Sequence, residues 1–512
     1  LKNGHFGFAT QRSGTIVTDE NFRILYHLSN DAGVMNETHS YLYEDRTCNL
    51  WIAMDNGICK VNAQSPLSNF DDYQGVRGSV LDVIRCFDRI FVATWQGVFY
   101  QNQRPNGSGT DVFMAIPDIT SQAWDIEKLR LGGDDYLLVA TSDGVYLIDK
   151  NQHSTMVSEG NFNYVKARPD NNELVYAGGP SLIKFLDFSG NIRKPKTTQV
   201  PNLESRIINA ALSRNNELYV GTARNGVFVF SAVPMAGKDG ETVIEMSQVG
   251  TPEGLPAADQ YYVFNYKGQI LVSTQTALYK IVKKELRYTA ELFDKAFGQF
   301  FGKSMFINII QEDKAGNMWF QTNSKLSGEK SLYYAKKSKK GWQFVSKPFQ
   351  AFPDIEFYSV SPEGDSIVWF GSDDGVYRFN WKVNQAFKWE EPFHTILHKV
   401  TINGEIVYTG VAKGKGPVPM GTVNFNKGNI RFDFSAGYFI HENATREFIS
   451  NFSPKIKLLA TIFLRMVQMI IAPIVFATLV VGIAKLGDLK TVGRVGGKAM
   501  LWFISASLIS LL

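Results

Sequence analysis

The side chains best suited to bind a metal are the seven histidines, at positions 5, 27, 39, 153, 394, 398 and 441. His394 and His398 are four residues apart, a spacing that brings two ligands together on a helix. Their segment is rich in apolar and β-branched residues and predicts a strand, in which they would lie about 13 Å apart. We therefore expect no metal site, and no Ser/His/Asp set or phosphate-binding glycine motif predicts a catalytic residue or a cofactor.

Two other groups of residues could bind a ligand. Asp313 to Asn317 resembles a fragment of a calcium loop but lacks the remaining acidic ligands, so we predict a hairpin turn there. Trp95 and Trp124 could stack on a sugar ring, because CH groups pack well on an aromatic face. Packing within or between repeats is the favoured alternative for both tryptophans, and the ligand-binding residues stay unassigned.

The charge distribution separates the chain into two parts. The 512 residues carry a formal charge of +4, and from His441 onward eight Lys and Arg face three Asp and Glu. That C-terminal segment therefore has a formal charge of +5, and residues 1–440 have a formal charge of −1. The near-neutral charge of residues 1–440 argues against nucleic-acid binding by that part. Cys48 and Cys59 flank a predicted hairpin, so they either form a disulfide or, like Cys86, serve as small apolar side chains.

A short pattern recurs along the first 400 residues: an apolar strand, Ala or Gly with Thr or Ser, a glycine turn, and a second apolar strand. The copies begin at residues 51, 91, 138, 175, 219, 271, 319 and 369. Turns such as 55–57, 142–144, 224–226 and 373–375 supply glycines for positive φ angles. Further strands precede most copies, at 80–87, 206–213 and 356–362.

Four strands in each unit of about 40–50 residues indicate the blades of a β-propeller. We therefore predict an all-β fold of about eight units. They form either one ring of eight, or a ring of seven after the end of another propeller. The segment 286–300 is the exception, since its apolar spacing predicts an inserted helix.

Three of the copies carry a family resemblance. YEDRTCNLWIAMDNGI, QEDKAGNMWFQT and SPEGDSIVWFGSDDGVYRF resemble the two-component-regulator propeller repeat of bacterial, notably Bacteroidetes-type, signalling receptors, over residues 1–395. FHTILHKVTINGEIV and GNIRFDFSAGYF resemble the opening strands of the triple-tyrosine (Y_Y_Y) β-sandwich, which gives a partial domain at 396–448. The tyrosine-rich core and closing strands expected of that sandwich are missing from the sequence.

The C-terminal segment, 453–512, has the character of a membrane protein. Nineteen uncharged residues separate Arg465 from Lys485, enough for one helix to cross a bilayer. We predict membrane helices at 456–484 and 499–512, joined by a basic cytoplasmic loop. The segment KLLATIFLRMVQMIIAPIVFATLVVGIAKLGDLKTVGRVGGKAMLWFISASLISLL resembles the second and third helices of dicarboxylate/amino-acid:cation symporters, and the string MIIAPIVFATLVVGIAKLGDLK within it is highly specific to that family. The transport residues of the family have no counterpart here.

These resemblances imply the ligand-sensing part of a membrane signalling receptor rather than an enzyme. We expect residues 1–448 in the periplasm, a bacterial inner-membrane anchor, a small-molecule or oligosaccharide ligand, and no nucleic acid; a homodimer is left open. The alternatives are a symporter fragment joined to an unrelated propeller near 449–453, a real fusion at that point, or a propeller enzyme acting on polysaccharides. Because the chain starts without Met and stops within an apolar run, we expect both ends to be truncated.

Overall fold

The computed structural model describes residues 1–2, 4–34, 36–45, 48–62, 65–102, 112–180, 182–200, 203, 205–234, 242–285, 287–301, 305–324, 328, 330–349, 355–386, 395–409 and 430–436. The chain divides into two compact units, Leu1–Ile440 and His441–Leu512, and all described residues belong to the first. The predicted membrane helices at 456–484 and 499–512 lie outside the described residues. Within the described ranges, no helix has the length and apolar character needed to cross a bilayer.

Two three-stranded antiparallel sheets come first in the chain. They consist of β1 Phe6–Ala9, β2 Thr15–Thr18 and β3 Ile24–Leu28, and of β4 His39–Glu44, β5 Leu50–Met54 and β6 Gly57–Val61. A small apolar cluster around Val17, Leu50 and Ile52 joins the two sheets. The repeat copy that begins at residue 51 forms β5 and β6, so this copy belongs to the N-terminal sheets.

The next strand, β7 Leu67–Phe70, leads into seven four-stranded sheets of the described chain, which we number as blades one to seven. Blade one contains β8 Val80–Cys86, β9 Arg89–Thr94, β10 Gly97–Asn102 and β11 Val112–Ala115. Blade two contains β12 Ala123–Leu131, β13 Asp134–Thr141, β14 Gly144–Ile148 and β15 Ser154–Glu159. Blade three contains β16 Tyr164–Ala167, β17 Leu174–Gly178, β18 Ile183–Asp187 and β19 Lys196–Val200.

Blades four to six repeat the same antiparallel order. Blade four contains β20 Ile207–Leu212, β21 Leu218–Thr222, β22 Val227–Pro234 and β23 Thr242–Val249. Blade five contains β24 Tyr262–Tyr266, β25 Gln269–Ser273, β26 Leu278–Lys284 and β27 Arg287–Leu292. Blade six contains β28 Met305–Glu312, β29 Met318–Ser324, β30 Lys330–Ser338 and β31 Gly341–Val345. Blade seven contains β32 Phe357–Glu363, β33 Ile367–Ser372 and β34 Gly375–Asn380, and takes β7 as its fourth strand.

The seven blades form a closed ring, which is a β-propeller. The first strand of each blade contacts the first strand of the next, and β32 of blade seven contacts β8 of blade one. The ring is closed by β7, which pairs antiparallel with β34 from Leu67↔Phe379 to Phe70↔Val376. The outer strand of the last blade thus comes from a segment that precedes the first blade.

The hydrophobic core is divided among the seams between neighbouring blades. Seven clusters of buried apolar side chains each draw members from two adjacent blades, including one that joins blade seven to blade one through Trp369 and Val80. The alternating strand pattern explains this arrangement, because the two faces of a blade sheet point towards two different neighbours. Both faces must therefore be apolar, as the strings LLVAT and IVWFG are.

The repeat pattern corresponds to the second and third strands of each unit, and the preceding strands predicted at 80–87, 206–213 and 356–362 are the first strands of three blades. Gly57, Gly226 and Gly375 have positive φ angles, as predicted for their turns. Gly144 does not. Its turn is held instead by the Thr141 hydroxyl, which bonds both the amide and the carbonyl group of Gly144.

The helix predicted at 286–300 is wrong for most of its length. Arg287–Leu292 is the strand β27, which pairs with β26 from Tyr279↔Leu292 to Lys284↔Arg287. Only Lys295–Phe300 is helical, as a 3₁₀ helix that starts where the Asp294 carboxylate accepts from the Ala296 amide. The apolar spacing that suggested a helix reflects burial of Phe297 and Phe300 in the seam between blades five and six.

The remaining elements are short. In the part of the chain that the structure describes, the other 3₁₀ helices are Asn30–Ala32, Asp72–Gln74 and Lys347–Phe349, and the α-helix α1 spans Trp381–Ala386. A C-terminal antiparallel sheet contains β35 Thr395–Ile402, β36 Glu405–Thr409 and β37 Ile430–Ala436, with β35 in the centre.

The cysteines form no disulfide among themselves, so the pairing of Cys48 with Cys59 that the sequence left open is wrong. Cys59 faces Ile52 across β5 and β6, whereas Cys48 occupies a turn with φ 61°. Cys86 is buried in the seam between blades one and two.

Candidate functional site

The residues considered for chemistry in the sequence are scattered over the structure. His398 lies in β35, and His394 lies outside the described residues. Asp313 forms the predicted hairpin turn, because its carboxylate accepts from the Ala315 and Asn317 amides at 3.0 and 2.8 Å. Within the part of the chain that the structure describes, no group of three or more His, Cys, Asp or Glu is arranged to hold a metal ion.

The two tryptophans considered as sugar platforms lie on the first two blades. Trp95 follows β9 and is 48% exposed, so it does not belong to the buried core. Trp124 is the extra residue of a β-bulge in β12, between the pairs Ala123↔Thr141 and Asp125↔Ala140. Its side chain is half-buried and its indole N–H has no hydrogen-bond partner within the described structure.

The first strands line the central channel of the ring, and several begin with such a bulge. The extra residues in blades one, two, four, six and seven are Leu81, Trp124, Ile208, Asn308 and Tyr358. A bulge turns one side chain out of the regular alternation and bends the strand locally. Each bulge therefore shifts the side-chain alternation of its first strand by one residue.

A charged cluster crosses blades one to three on one side of this channel. The Asp125 carboxylate accepts from the Lys166 ammonium at 2.7 Å and from the Val165 amide at 2.9 Å. In the neighbouring seam, the Asp82 carboxylate accepts from the Ile126 amide at 3.1 Å. Each carboxylate thus binds the backbone of the next blade.

The cluster has strongly shifted protonation equilibria. Burial and the negative charge of Asp125 raise the pKa of Asp82 to about 8, against the opposing effect of Lys166. Burial also raises the pKa of Glu127 to about 7, where Lys166 lowers it and Asp125 raises it. Burial would lower the pKa of Lys166, but Asp125 and Glu127 outweigh that effect and raise it. The cluster therefore holds Lys166 as a cation, and the Asp82 carboxyl group keeps its proton to a higher pH than an ordinary aspartate does.

A second group of side chains comes from blades four to seven, at the ends of their first strands. The ring of Tyr262 stacks on Phe306, with centroids 5.3 Å apart and planes at 14°. Glu356 forms an ion pair with Lys330 at 2.8 Å. Burial, the charge of Glu356 and a hydrogen bond to it raise the pKa of Tyr358 to about 12.

Arg206 belongs to the same group. Burial raises the pKa of Tyr262 to about 12, while Arg206 lowers it and Glu356 raises it. Both charges therefore act on one hydroxyl group, although they come from blades four and seven. We call Arg206, Tyr262, Phe306, Glu356 and Tyr358 the mouth group. Its stacked aromatic rings, hydroxyls and charges suit a small polar ligand better than an apolar one.

Inspection of the sequence missed Asp82, Asp125 and Lys166, yet it contains a signal for the two acids. Each acid stands in the middle of an apolar strand, in VLDVI and AWDIE, where a carboxylate is costly unless it is paired. The position of Lys166 opposite Asp125 depends on how the blades adjoin, which no local pattern reveals.

The C-terminal segment matches a transporter family. Residues 427–512 match the model of the sodium:dicarboxylate symporter family. The C4-dicarboxylate transport protein of Geobacter sp. (strain M21) is 42% identical over 82 residues, which are 16% of this chain and 17% of that protein. That of Bacillus subtilis (strain 168) is 48% identical over 58 residues, 11% of this chain and 14% of that protein. The chain therefore spans less than a fifth of these curated relatives.

The rest of the chain is similar to a different protein. One similar solved structure is described as the extracellular domain of a hybrid two component system from B. thetaiotaomicron. The alignment covers 82% of this chain and 55% of that protein, with 18% sequence identity and a TM-score of 0.51. At this identity the likeness concerns the fold alone. The predicted propeller fold and the symporter resemblance of the C-terminal segment are both confirmed. The family match begins at residue 427, so it overlaps the segment 427–448 assigned to the sandwich.

Proposed function

We propose that this chain is the ligand-sensing region of a membrane signalling receptor, with residues 1–448 outside the cytoplasm. One observation carries the proposal: 82% of the chain shares the fold of an extracellular domain of a hybrid two component system. The polar channel supports it, because a channel with hydrogen-bonding groups and stacked rings can bind a ligand without needing a catalytic residue.

The domain arrangement belongs to the proposal. Residues 1–395 would form the propeller units, and β35–β37 would begin a β-sandwich over 396–448. Helices at 456–484 and 499–512 would anchor the chain in the bacterial inner membrane. Ligand binding would change how blades or paired chains pack, and the sandwich would pass that change to the membrane.

The mouth group is the part of the ring that we assign to ligand binding, and the ligand would be a small polar molecule or an oligosaccharide. The half-buried ring of Tyr262, which stacks on the buried ring of Phe306, can pack against sugar CH groups. The carboxylate of Glu356 and the hydroxyl of Tyr358 can bind sugar hydroxyls. Its groups come from blades four to seven, so a bound ligand would contact several blades at once.

Binding of oligosaccharides to the full chain in detergent micelles tests this proposal. A glycan array would identify candidates, and calorimetry would measure their affinity. We expect Tyr262→Ala to weaken binding about tenfold, the effect of losing one aromatic contact. Tyr43→Ala, at a tyrosine that is 56% exposed on the N-terminal sheets, is the matched control. Conversion of a polysaccharide into products would favour the propeller enzyme instead.

A symporter fragment is the second candidate, favoured by the family match over residues 427–512. In that case the two parts of the chain come from unrelated genes joined near residues 449–453. Amplification across codons 440–460 from source DNA tests this directly. A continuous product supports a real fusion, whereas separate genes would restrict the sensing proposal to the propeller and leave the C-terminal segment as a piece of a transporter.

A further inference from the structure

Polar side chains link neighbouring blades close to the channel. Asp82 and Asp125 accept from the backbone amides of Ile126 in blade two and Val165 in blade three, respectively. In blade four, Asn209 accepts from the Val263 amide of blade five at 2.9 Å and donates to the Val263 carbonyl at 2.8 Å. In blade five, the Ser273 hydroxyl accepts from the Ile307 amide of blade six at 3.0 Å. Four seams therefore have the same kind of link.

These links come from one pair of facing positions on the first and second strands. The first-strand residue pairs across the sheet with a small second-strand residue, as in Asp82↔Ala93, Asp125↔Ala140 and Asn209↔Gly221. Little room is left at the second-strand position in two seams. A Cβ atom on Gly221 would lie 2.1 Å from the Tyr261 carbonyl oxygen, and one on Gly371 would lie 2.7 Å from that of Val80.

Blade six has a long polar residue, Gln321, at this second-strand position, opposite the apolar Ile309. Gln321 is 0% exposed. Within the described structure neither its amide oxygen nor its amide nitrogen has a hydrogen-bond partner. The seam between blades six and seven therefore accommodates a whole glutamine side chain, but among the described residues it lacks the direct link seen in four of the other seams.

The surroundings of Gln321 contain further unpaired polar atoms. Trp319 lies two residues earlier on the same strand face, is 0% exposed, and its indole N–H has no partner in the described structure. The equivalent tryptophans are paired, Trp51 with Asp45 at 2.9 Å and Trp369 with Glu363 at 2.7 Å.

Asn308 adds another such atom at the channel side of the seam. It is the extra residue of the bulge, opposite the step from Gln321 to Thr322, and its side-chain oxygen is buried without a partner among the described residues. A buried polar group without a hydrogen bond destabilises the folded state, because it has lost its hydrogen bonds to water. Such a concentration on one strand pair indicates groups that bind something else.

We propose that the seam between blades six and seven binds a hydroxyl-bearing small molecule, either water or a polyol, through the amide of Gln321. A hydroxyl oxygen can accept from the amide nitrogen and donate to the amide oxygen, so one ligand group satisfies both. Water is the smallest such ligand, and buried water characteristically bridges otherwise unpaired polar groups. The bound molecule takes the place of the direct side-chain link found in four of the other seams.

Replacing Gln321 by a residue of similar shape tests whether its amide binds a ligand. The midpoint of thermal unfolding should fall if the amide holds a ligand, and should stay unchanged or rise if it does not. Gln321→Met in the full chain removes the amide and keeps the length of the side chain. If the amide holds a ligand, the variant loses those hydrogen bonds, and we expect the midpoint of thermal unfolding to fall by about 1–3 °C. An unchanged or higher midpoint would overturn the proposal, because removal of an unpaired buried amide is neutral or stabilising. Gln311→Met, at an exposed glutamine of the same blade, is the matched control.

A high-resolution structure of the full chain provides the second measurement and does not depend on a variant folding. We expect density within hydrogen-bond distance of both amide atoms of Gln321. Density that stays the size of one atom after soaking in erythritol identifies water, and density that grows identifies a polyol site. A dry seam, or a Gln321 amide bonded directly to blade seven, would overturn the proposal.

Discussion

Asp125 of blade two and Lys166 of blade three form a 2.7 Å ion pair across the seam that joins their blades. Asp125 also accepts from the Val165 amide, so one carboxylate binds both the backbone and the side chain of the next blade. The pair is 14% and 25% exposed, respectively. A partly buried pair of this kind costs much to break, since each partner would then keep an uncompensated charge.

Loss of the ammonium group is therefore expected to destabilise the ring. Lys166→Met should lower the free energy of unfolding by about 2–3 kcal/mol, less than for a fully buried pair because water reaches the channel. The double variant Lys166→Met/Asp125→Asn should recover part of that loss. Urea unfolding followed by tryptophan fluorescence measures both, with Lys336→Met at an exposed position of β30 as the control. If Lys166→Met and Lys336→Met lowered the free energy of unfolding equally, the ion pair between Asp125 and Lys166 would not stabilise the ring.

The raised pKa of Asp82 predicts a pH-dependent stability. A free aspartate titrates near pH 4, whereas Asp82 in the folded chain titrates at about 8. Between these values the folded state holds a proton that the unfolded state has released, so stability falls as the pH rises from about 4 to 8.

Asp82→Asn should make the free energy of unfolding less dependent on pH and should raise it at pH 8 by about 1–2 kcal/mol. This value is smaller than the full pKa difference would give, because the Asp82 side chain is partly exposed. Denaturant unfolding at several pH values would reveal it. Asp134→Asn, at an exposed position, should keep the wild-type slope. A slope in Asp82→Asn that equals the wild-type slope would show that the Asp82 carboxylate is ionised throughout this pH range and would contradict the prediction.

Much of the fold could be predicted from the sequence, because strands and tight turns leave local patterns. The alternation in LLVAT and the glycine turns depend on only a few neighbouring residues. The ring closure could not be found in this way. Leu67–Phe70 is short and half polar, and it pairs with Val376–Phe379 more than 300 residues away. The error at 286–300 has a similar cause, since pairing with β26 overrides the local helical spacing.

The candidate site was less accessible to sequence inspection than the fold. Asp82, Asp125 and Lys166 lie in the first strands, outside the repeated string that identified the units. Their proximity depends on the radial arrangement of three blades, and the mouth group depends on four. Only the acids inside apolar strands could have been noticed in advance.

The side chain of Phe70 should be important for ring closure. It is 8% exposed and contacts Phe113 of blade one and Trp369 of blade seven, with ring centroids 5.8 and 5.9 Å apart. Phe70→Ala should lower the free energy of unfolding by about 3 kcal/mol, as expected for a large buried aromatic side chain. Phe8→Ala, at a residue that is 42% exposed, should cost much less. Chemical denaturation of the full chain compares the two, and equal losses would argue against the closing role.

The tight seam between blades four and five predicts intolerance to a single methyl group. Gly221→Ala would bring its Cβ within 2.1 Å of the Tyr261 carbonyl oxygen unless the blades move apart. We expect a loss of about 1–3 kcal/mol from overpacking. Gly298→Ala is the matched control, because a Cβ there meets nothing within 4 Å. Thermal unfolding of both variants checks the difference, and a neutral Gly221→Ala would mean that the seam is loose.

The strand β7 completes the last blade of the closed ring, so a covalent test of its pairing with β34 is the most direct. Ser68 and Arg378 are partners in the register of β7 and β34. Antiparallel partners have Cα atoms about 4.5–5.5 Å apart, within the range that a disulfide spans. Oxidation of the variant Ser68→Cys/Arg378→Cys should join positions 68 and 378, as peptide mass mapping under non-reducing conditions would detect. A disulfide from position 68 to Cys59 in β6 instead would place β7 in the N-terminal sheet and contradict the closed ring.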